Sequence, residues 1–470
     1  MNRLRYLLPI ACLLLVACQP PAPRNPRPEQ LHYPPLTFRV PAVERLDLPN
    51  GIRLYLQEDH ELPLVEVSAM LPAGSIADPE GKTGLADLYA TVLRSGGAGD
   101  YSPDAFDELL AERAIDLSTS SGSYTLNLGL SLQSKDLMVG LQALSDMLRH
   151  PRFDPQRLEL ARRQALEAIR RRNDNPGSIA RRTLRQALYP GHPLGRVETR
   201  ASLSAISRED LLAFHRRFAH PQGLWLGITG DFDREQLLAD LRQLFGDWNG
   251  DAARRPVPPV TAKPEAALWL ADKPIPQTTI LFGELGIDKD NPDLYAVRVM
   301  NYILGGGGFN SRLMREVRSN RGLAYSVYSY FQIGRLLPGQ FIAGCETKSG
   351  TTMQVIRLMR EQMRLMREKE VSAEELRLAK ESLINSFVFA FEDIHDVVAQ
   401  QMRLDFYGYP SDYLAGYRDR IAAVTVKDVK RVARRYLHPD KQQLVLVGNV
   451  KDFDGKPGSL GLPVREIPED

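Results

Sequence analysis

The chain carries its own second copy. Residues 207–230 read SREDLLAFHRRFAHPQGLWLGITG and residues 425–448 read TVKDVKRVARRYLHPDKQQLVLVG, so Ser207 and Thr425 begin two versions of one segment offset by 218 residues without a gap. A period this long marks a duplicated structural unit rather than a short repeat. Each copy has the same physical parts. Ser207 with Asp210, and Thr425 with Asp428, place a hydroxyl N-cap three residues before a carboxylate, the signature of a helix start. The motif Arg-Arg-aromatic-x-His-Pro then closes the helix, because Pro221 and Pro439 cannot continue it. An apolar strand follows, Leu224 to Thr229 in one copy and Leu444 to Val447 in the other, and ends at Gly230 or Gly448.

Between the copies lies DAARRPVPPVTAKPE, residues 251–265, a proline-rich linker. Each half runs from strands through long helices to one more helix and a returning strand. That order predicts an α+β fold of two duplicated domains, each a mostly antiparallel sheet with helices packed on one face, facing each other as a clam shell. The expected domains are 36–250 and 266–455, with 456–470 as a C-terminal tail.

The N-terminus is organised differently. Arg3 and Arg5 precede an apolar run from Tyr6 to Ala17, which ends in Leu15-Val16-Ala17-Cys18. A run of about 12 apolar residues falls short of the roughly 20 that span a bilayer. The sequence resembles a bacterial lipoprotein signal, which implies removal of residues 1–17, acylation of the Cys18 thiol and, with Gln19 following, a lipid-anchored periplasmic protein at the outer membrane. Residues 18–35 hold seven prolines and read as an extended tether. Of the three cysteines, Cys12 leaves with the signal and Cys18 takes lipid; Cys345 alone remains in the folded part, so no intrachain disulfide can form there. A formal charge of +2 gives no argument for a nucleic-acid partner, and Arg170-Arg171-Arg172 reads as a solvated helix end.

Three further segments carry a resemblance: LPNGIRLYLQEDHELPLVEVSAMLPAGSIADPEGKTGLADLY from Leu48, YPGHPLGR from Tyr189, and GGGGFNSRLMREVRSNRGLAYSVYS from Gly305. Together with the repeat they are similar to the pitrilysin/insulinase zinc metallopeptidases, which include the mitochondrial processing peptidase and the core subunits of the respiratory bc1 complex. Active members carry an inverted zinc motif, HxxEH, in the helix after a Gly-Leu-Ala run, and a glutamate ligand in a later helix.

In this chain Leu85, Leu88, Tyr89, Val92 and Leu93 form the core stripe of that first helix and leave Asp87, Ala90, Thr91 and Arg94 on the other face. The resemblance puts the first histidine at Asp87, the general-base glutamate at Ala90 and the second histidine at Thr91. The later glutamate falls on Ala168, in a helix begun by Asp154 and Pro155; Glu167 lies about 100° away around that helix. A catalytic zinc needs three ligands, a water and a base, and these side chains cannot supply them. The expectation is therefore that no cofactor is bound by this chain. The eight histidines do not rebuild a site: His215 and His220 lie five apart on what reads as one helix, and His192 and His438 fall in loop and helix-end segments.

Arg318 and Tyr325, seven residues apart across Gly322, read as a helix end and an emerging strand. The resemblance implies that such a pair holds the substrate carbonyl and stabilises the oxyanion, with zinc on the opposite half. Gly305 to Gly308 lacks the Gly-Lys-Ser/Thr of a phosphate loop and reads as a flexible turn beside the cleft, leading through Phe309, Asn310 and Arg312 to Arg318. The reading that follows is a non-catalytic subunit of a two-chain periplasmic zinc endopeptidase. Its partner would be a homologous subunit bearing HxxEH and the zinc, its substrate a peptide or unfolded protein, and its membrane contact the lipid on Cys18. The alternative is a pseudoenzyme that binds peptide or acts as a scaffold in the envelope.

Overall fold

The computed structural model describes residues 40–250 and 257–468, so the signal, Cys18, the tether and the first part of the linker lie outside the described residues. From Val40 onward the chain forms one compact unit. It is built on two six-stranded sheets. The first contains β1 (Glu44–Asp47), β2 (Arg53–Glu58), β3 (Leu64–Leu71), β4 (Asp116–Ser121), β5 (Leu126–Gln133) and β6 (Trp225–Gly230), in the order β1-β2-β6-β3-β5-β4. The second contains β7 (Leu268–Asp272), β8 (Gln277–Leu285), β9 (Ala324–Gln332), β10 (Gln340–Lys348), β11 (Gln443–Gly448) and β12 (Val464–Glu466), in the order β12-β7-β11-β8-β10-β9.

The orders superimpose, with β2, β6, β3, β5 and β4 answering to β7, β11, β8, β10 and β9. In each sheet the returning strand pairs parallel with the first of these, β2 or β7, and antiparallel with the second, β3 or β8. The duplication read from residues 207–230 and 425–448 therefore extends to five strands of each sheet, and only the edge strands β1 and β12 differ, the first antiparallel and the second parallel to its neighbour. Both predicted helix starts are present as capping boxes. The Ser207 hydroxyl accepts from the Asp210 amide at 3.2 Å while Asp210 accepts the Ser207 amide at 2.8 Å, and Thr425 and Asp428 do the same at 3.2 and 3.0 Å. The segment set apart as a tail carries β12, which pairs with β7 as the sheet edge.

Helices do not cover one face only. One face of each sheet holds that half's own helices, and the other holds a single helix sent across from the opposite half. The helix Pro176–Leu188 buries Ile179, Ala180, Leu184 and Leu188 against Leu281, Ile342, Val445 and Val447 of the second sheet. The helix Ile394–Phe406 buries Val398 and Met402 against Tyr55, Met70 and Trp225 of the first. Pro176 and Ile394 are themselves 218 residues apart, so the exchange is part of the repeat.

Glycine makes room for each crossing helix. A Cβ on Gly283 would lie 2.6 Å from Leu184 Cδ1, and one on Gly227 would lie 3.0 Å from Val398 Cγ1. Polar contacts tie the second crossing: Tyr55 donates to Asp405 at 2.8 Å, Arg45 pairs with Asp405 at 2.9 Å, and His395 meets Ser68 and Thr229 hydroxyls at 2.8 and 2.9 Å.

Candidate functional site

The helix Leu85–Ser95 begins at Gly84, whose φ of +99° suits a residue without Cβ. Gly84 has no side chain with which to cap, and Asp78 does so from six residues upstream: its carboxylate accepts the Gly84 and Ala86 amides at 2.8 and 2.9 Å. Leu85, Leu88, Tyr89, Val92 and Leu93 are all buried, as the spacing predicts. Ala90 is buried too, against the expectation of an open face, because β4 lies over it and Thr119 donates its hydroxyl to the Ala90 carbonyl at 2.7 Å.

Thr91 spends its hydroxyl on the Asp87 carbonyl one turn back, at 2.9 Å. Asp87 projects into a cavity, where burial first, and then the facing Glu198 carboxyl, push its own carboxyl up to about 6; Ser121 and Arg185 oppose the shift. Asp87 is exposed and lines this cavity. Ala168 is an exposed methyl on the helix Pro155–Arg171. Glu167 points to solvent, pairs with Arg170 and Arg171 at 2.7 and 2.6 Å, and is held down to about 2 by those guanidinium groups.

Zinc does not fit these residues. Asp87 offers one donor, Ala90 and Ala168 offer none, and Thr91 is committed to the backbone. Among the described residues no group of three histidine, cysteine, aspartate or glutamate side chains is placed to hold a metal ion. His215 and His220 do not share a helix: it ends at Phe218, leaving His220 beyond it. His215 is half-buried instead, its Nδ1 3.0 Å from the Tyr89 hydroxyl, and desolvation pushes its imidazole down to about 4.

Arg318 sits in a widened helical turn, Met314–Ser319, whose backbone bonds reach five residues back. Gly322, at φ +62°, ends the turn: its amide bonds the Arg318 carbonyl at 2.8 Å, and the Leu323 amide bonds the Val317 carbonyl at 2.9 Å. The chain then enters β9 at Ala324, which places Tyr325 beside Arg318. The guanidinium carbon stands 4.5 Å from the Tyr325 ring centre and 4.7 Å from that of Phe309. Tyr325 is 84% exposed and Phe309 66%. Arg318 makes no ion pair among the described residues, so its N–H edges remain available.

The glycine run before it is not a loose turn. Gly305 is buried, and a Cβ there would lie 2.5 Å from the Ser329 amide nitrogen, so the segment is pressed onto β9. Arg312 is buried and gives a two-pronged bond to Glu375 at 2.7 and 2.8 Å.

The cavity that receives Asp87 has a volume of about 790 Å³. The first half lines it with Asp78, Ser121, Tyr124, Arg185 and Glu198, and the second with Arg335, Arg403 and Tyr407. Arg318 and Tyr325 are not among its lining residues, so within one chain the two predicted sites are separate. Sequence reasoning missed Glu198, Arg335 and Arg403, for which no motif or spacing gives a signal.

The profile described as Insulinase (Peptidase family M16) matches residues 53–200, and that of the Peptidase M16 inactive domain matches residues 205–383. A protein described as a non-peptidase homolog from Helicobacter pylori is 26% identical over 400 residues, covering 84% of this chain and 91% of the relative. An uncharacterized zinc protease of Mycobacterium bovis is 30% identical over 315 residues, which are 64% of this chain and 70% of the relative. The chain belongs to the insulinase family.

A solved peptidase M16 inactive domain from Pseudomonas fluorescens has the same fold, with a TM-score of 0.78 and 27% identity over 86% of this chain and 98% of its own. Asp87, Ala90, Thr91 and Ala168 offer neither a set of metal ligands nor a general base, in keeping with an inactive homologue within the insulinase family.

Proposed function

We propose that this chain is the non-catalytic subunit of a two-chain zinc endopeptidase, anchored in the periplasm by lipid on Cys18 at the outer membrane. A homologous partner would carry HxxEH and the metal. This chain would bring Arg318 and Tyr325 to the peptide bond under attack. The observation that carries the reading is the exposed stack of Arg318 between Phe309 and Tyr325, with no carboxylate neutralising it.

Stacking fixes the guanidinium plane while leaving its N–H groups free to donate, and the phenol of Tyr325 adds an O–H donor alongside. Two donors aimed at one oxygen favour a negative charge that develops on it, which lowers the barrier to acyl transfer. Neither group can activate water. The metal chemistry belongs to the partner, and this chain's part is to orient the carbonyl and hold its oxyanion.

The test mixes the HxxEH-bearing partner with this chain and follows peptide cleavage. Arg318→Ala and Tyr325→Phe should each lower kcat by about 10²–10³ with partner binding intact. Equal cleavage with and without this chain, or with either variant, refutes the proposal.

A further inference from the structure

The cavity between the two halves has features that the partner-dependent reading leaves unused. Its volume of about 790 Å³ lies in the range of sites that take small ligands or peptide ends. On the second-half side Arg335 and Arg403 line the same wall, and the Arg403 guanidinium is pushed down first by desolvation and then by the neighbouring Arg335 charge. Arg335 stands over the Tyr407 ring, its guanidinium carbon 4.7 Å from the centre, and Tyr407 meets Tyr124 edge-on at 6.3 Å.

Neither arginine has a carboxylate within ion-pairing distance among the described residues. Elsewhere in this chain arginines on a shared wall are neutralised, as Arg431 and Arg435 are by Asp293. Arg335 and Arg403 are both exposed at the cavity wall, so two unpaired guanidinium groups stand there with their N–H donors free for an anion to join them. Their planar N–H forks match a carboxylate. Across the cavity the character changes: Ser121, Ser123, Thr125 and Asn127 present hydroxyl and amide groups, and Asp87 with Glu198 presents carboxyl oxygens. A ligand that suits both walls has a carboxylate at one end and amide groups behind it.

We propose that this cavity binds the free C-terminal carboxylate of a peptide, gripped by Arg335 and Arg403, with the preceding residues lying along the Ser121–Asn127 wall. The site belongs to this chain alone. It needs neither the partner nor Arg318 and Tyr325, so it stands or falls separately from the oxyanion proposal.

The test uses the purified full chain without a partner and an N-terminally fluorescein-labelled penta-alanine, followed by fluorescence anisotropy. The free acid should bind at least tenfold more tightly than its C-terminal amide, and the affinity should fall as salt rises. Arg335→Gln and Arg403→Gln should each weaken the free acid about tenfold or more and leave the amide unchanged, whereas Arg318→Ala should change neither. Arg403→Lys, which keeps charge but loses the fork, should fall between. Equal binding of acid and amide to the unaltered chain overturns the proposal without depending on any variant. Displacement by inorganic phosphate at the same concentration as unlabelled peptide overturns the assignment to a peptide terminus.

Discussion

Replacing Leu184 by alanine should strike the joint between the halves, and the structure allows its partner to be tested with it. Leu184 is 1% exposed and lies on the crossing helix over the second sheet. Truncating such a leucine costs about 2–5 kcal/mol. Opposite it, a Cβ added at Gly283 would sit 2.6, 2.8 and 3.0 Å from Leu184 Cδ1, Cδ2 and Cγ. Carbon contacts are comfortable at about 3.5–4.0 Å, so Gly283→Ala overpacks the joint and costs about 1–3 kcal/mol.

The clashing atoms are the ones Leu184→Ala removes. In that background Gly283→Ala should be neutral, or stabilising by about 0.5–1 kcal/mol because alanine is less mobile than glycine when unfolded. The double variant should therefore be more stable than the sum of the single losses by about 1–3 kcal/mol. Urea unfolding followed by circular dichroism, with the slope checked for constancy, measures all four corners of the cycle. Additive losses, or two transitions already in the unaltered chain, would refute the interlocked arrangement.

Other perturbations have equally definite outcomes. Asp78→Ala removes the acceptor for the Gly84 and Ala86 amides and should cost about 1–3 kcal/mol in the same unfolding assay; a loss below 0.5 kcal/mol would deny Asp78 its capping role. Glu375, held down to about 2 from an ordinary 4.5 by Arg312 and by the Ser372 amide despite its burial, contributes stability that is present above pH 4.5 and lost as pH falls toward 2. Glu375→Gln should cost about 2 kcal/mol at pH 7 and flatten that acid loss, and an unchanged acid limb would remove the pair from the account. Extensive dialysis against a chelator should leave the melting temperature of this chain unmoved, and elemental analysis before dialysis should find zinc well below one equivalent; a stoichiometric, stabilising metal would contradict the reading of Asp87, Ala90, Thr91 and Ala168.

Much of the architecture was legible because local rules and tertiary structure agree. The capping boxes at Ser207 and Thr425 are local, so four residues suffice to place each helix start. The Leu85–Leu93 stripe was equally plain, since the 3.6-residue period alone selects a face. What escaped was determined by residues far apart in sequence. The burial of Ala90 depends on β4, about 29 residues away, through Thr119. The crossing helices were missed although a clue was available: QLVLVG in β11 is buried at every position and WLGITG in β6 at nearly every one, and a strand with no polar alternation is covered on both faces. Arg335 and Arg403 were invisible for a different reason, since nothing in the spacing of two arginines announces that a third element will bring them to one wall.

The exchange of helices also bears on how such a molecule could have arisen. Cut at the 251–265 linker, each fragment would leave a sheet face bare and an apolar helix with nothing to cover. Two copies of a single fragment, however, could supply each other's missing layer by the same handshake, as a symmetric pair. Fusion of two such genes would preserve every contact while letting the copies drift apart, one shedding its metal-binding side chains without loosening the clasp that holds both together.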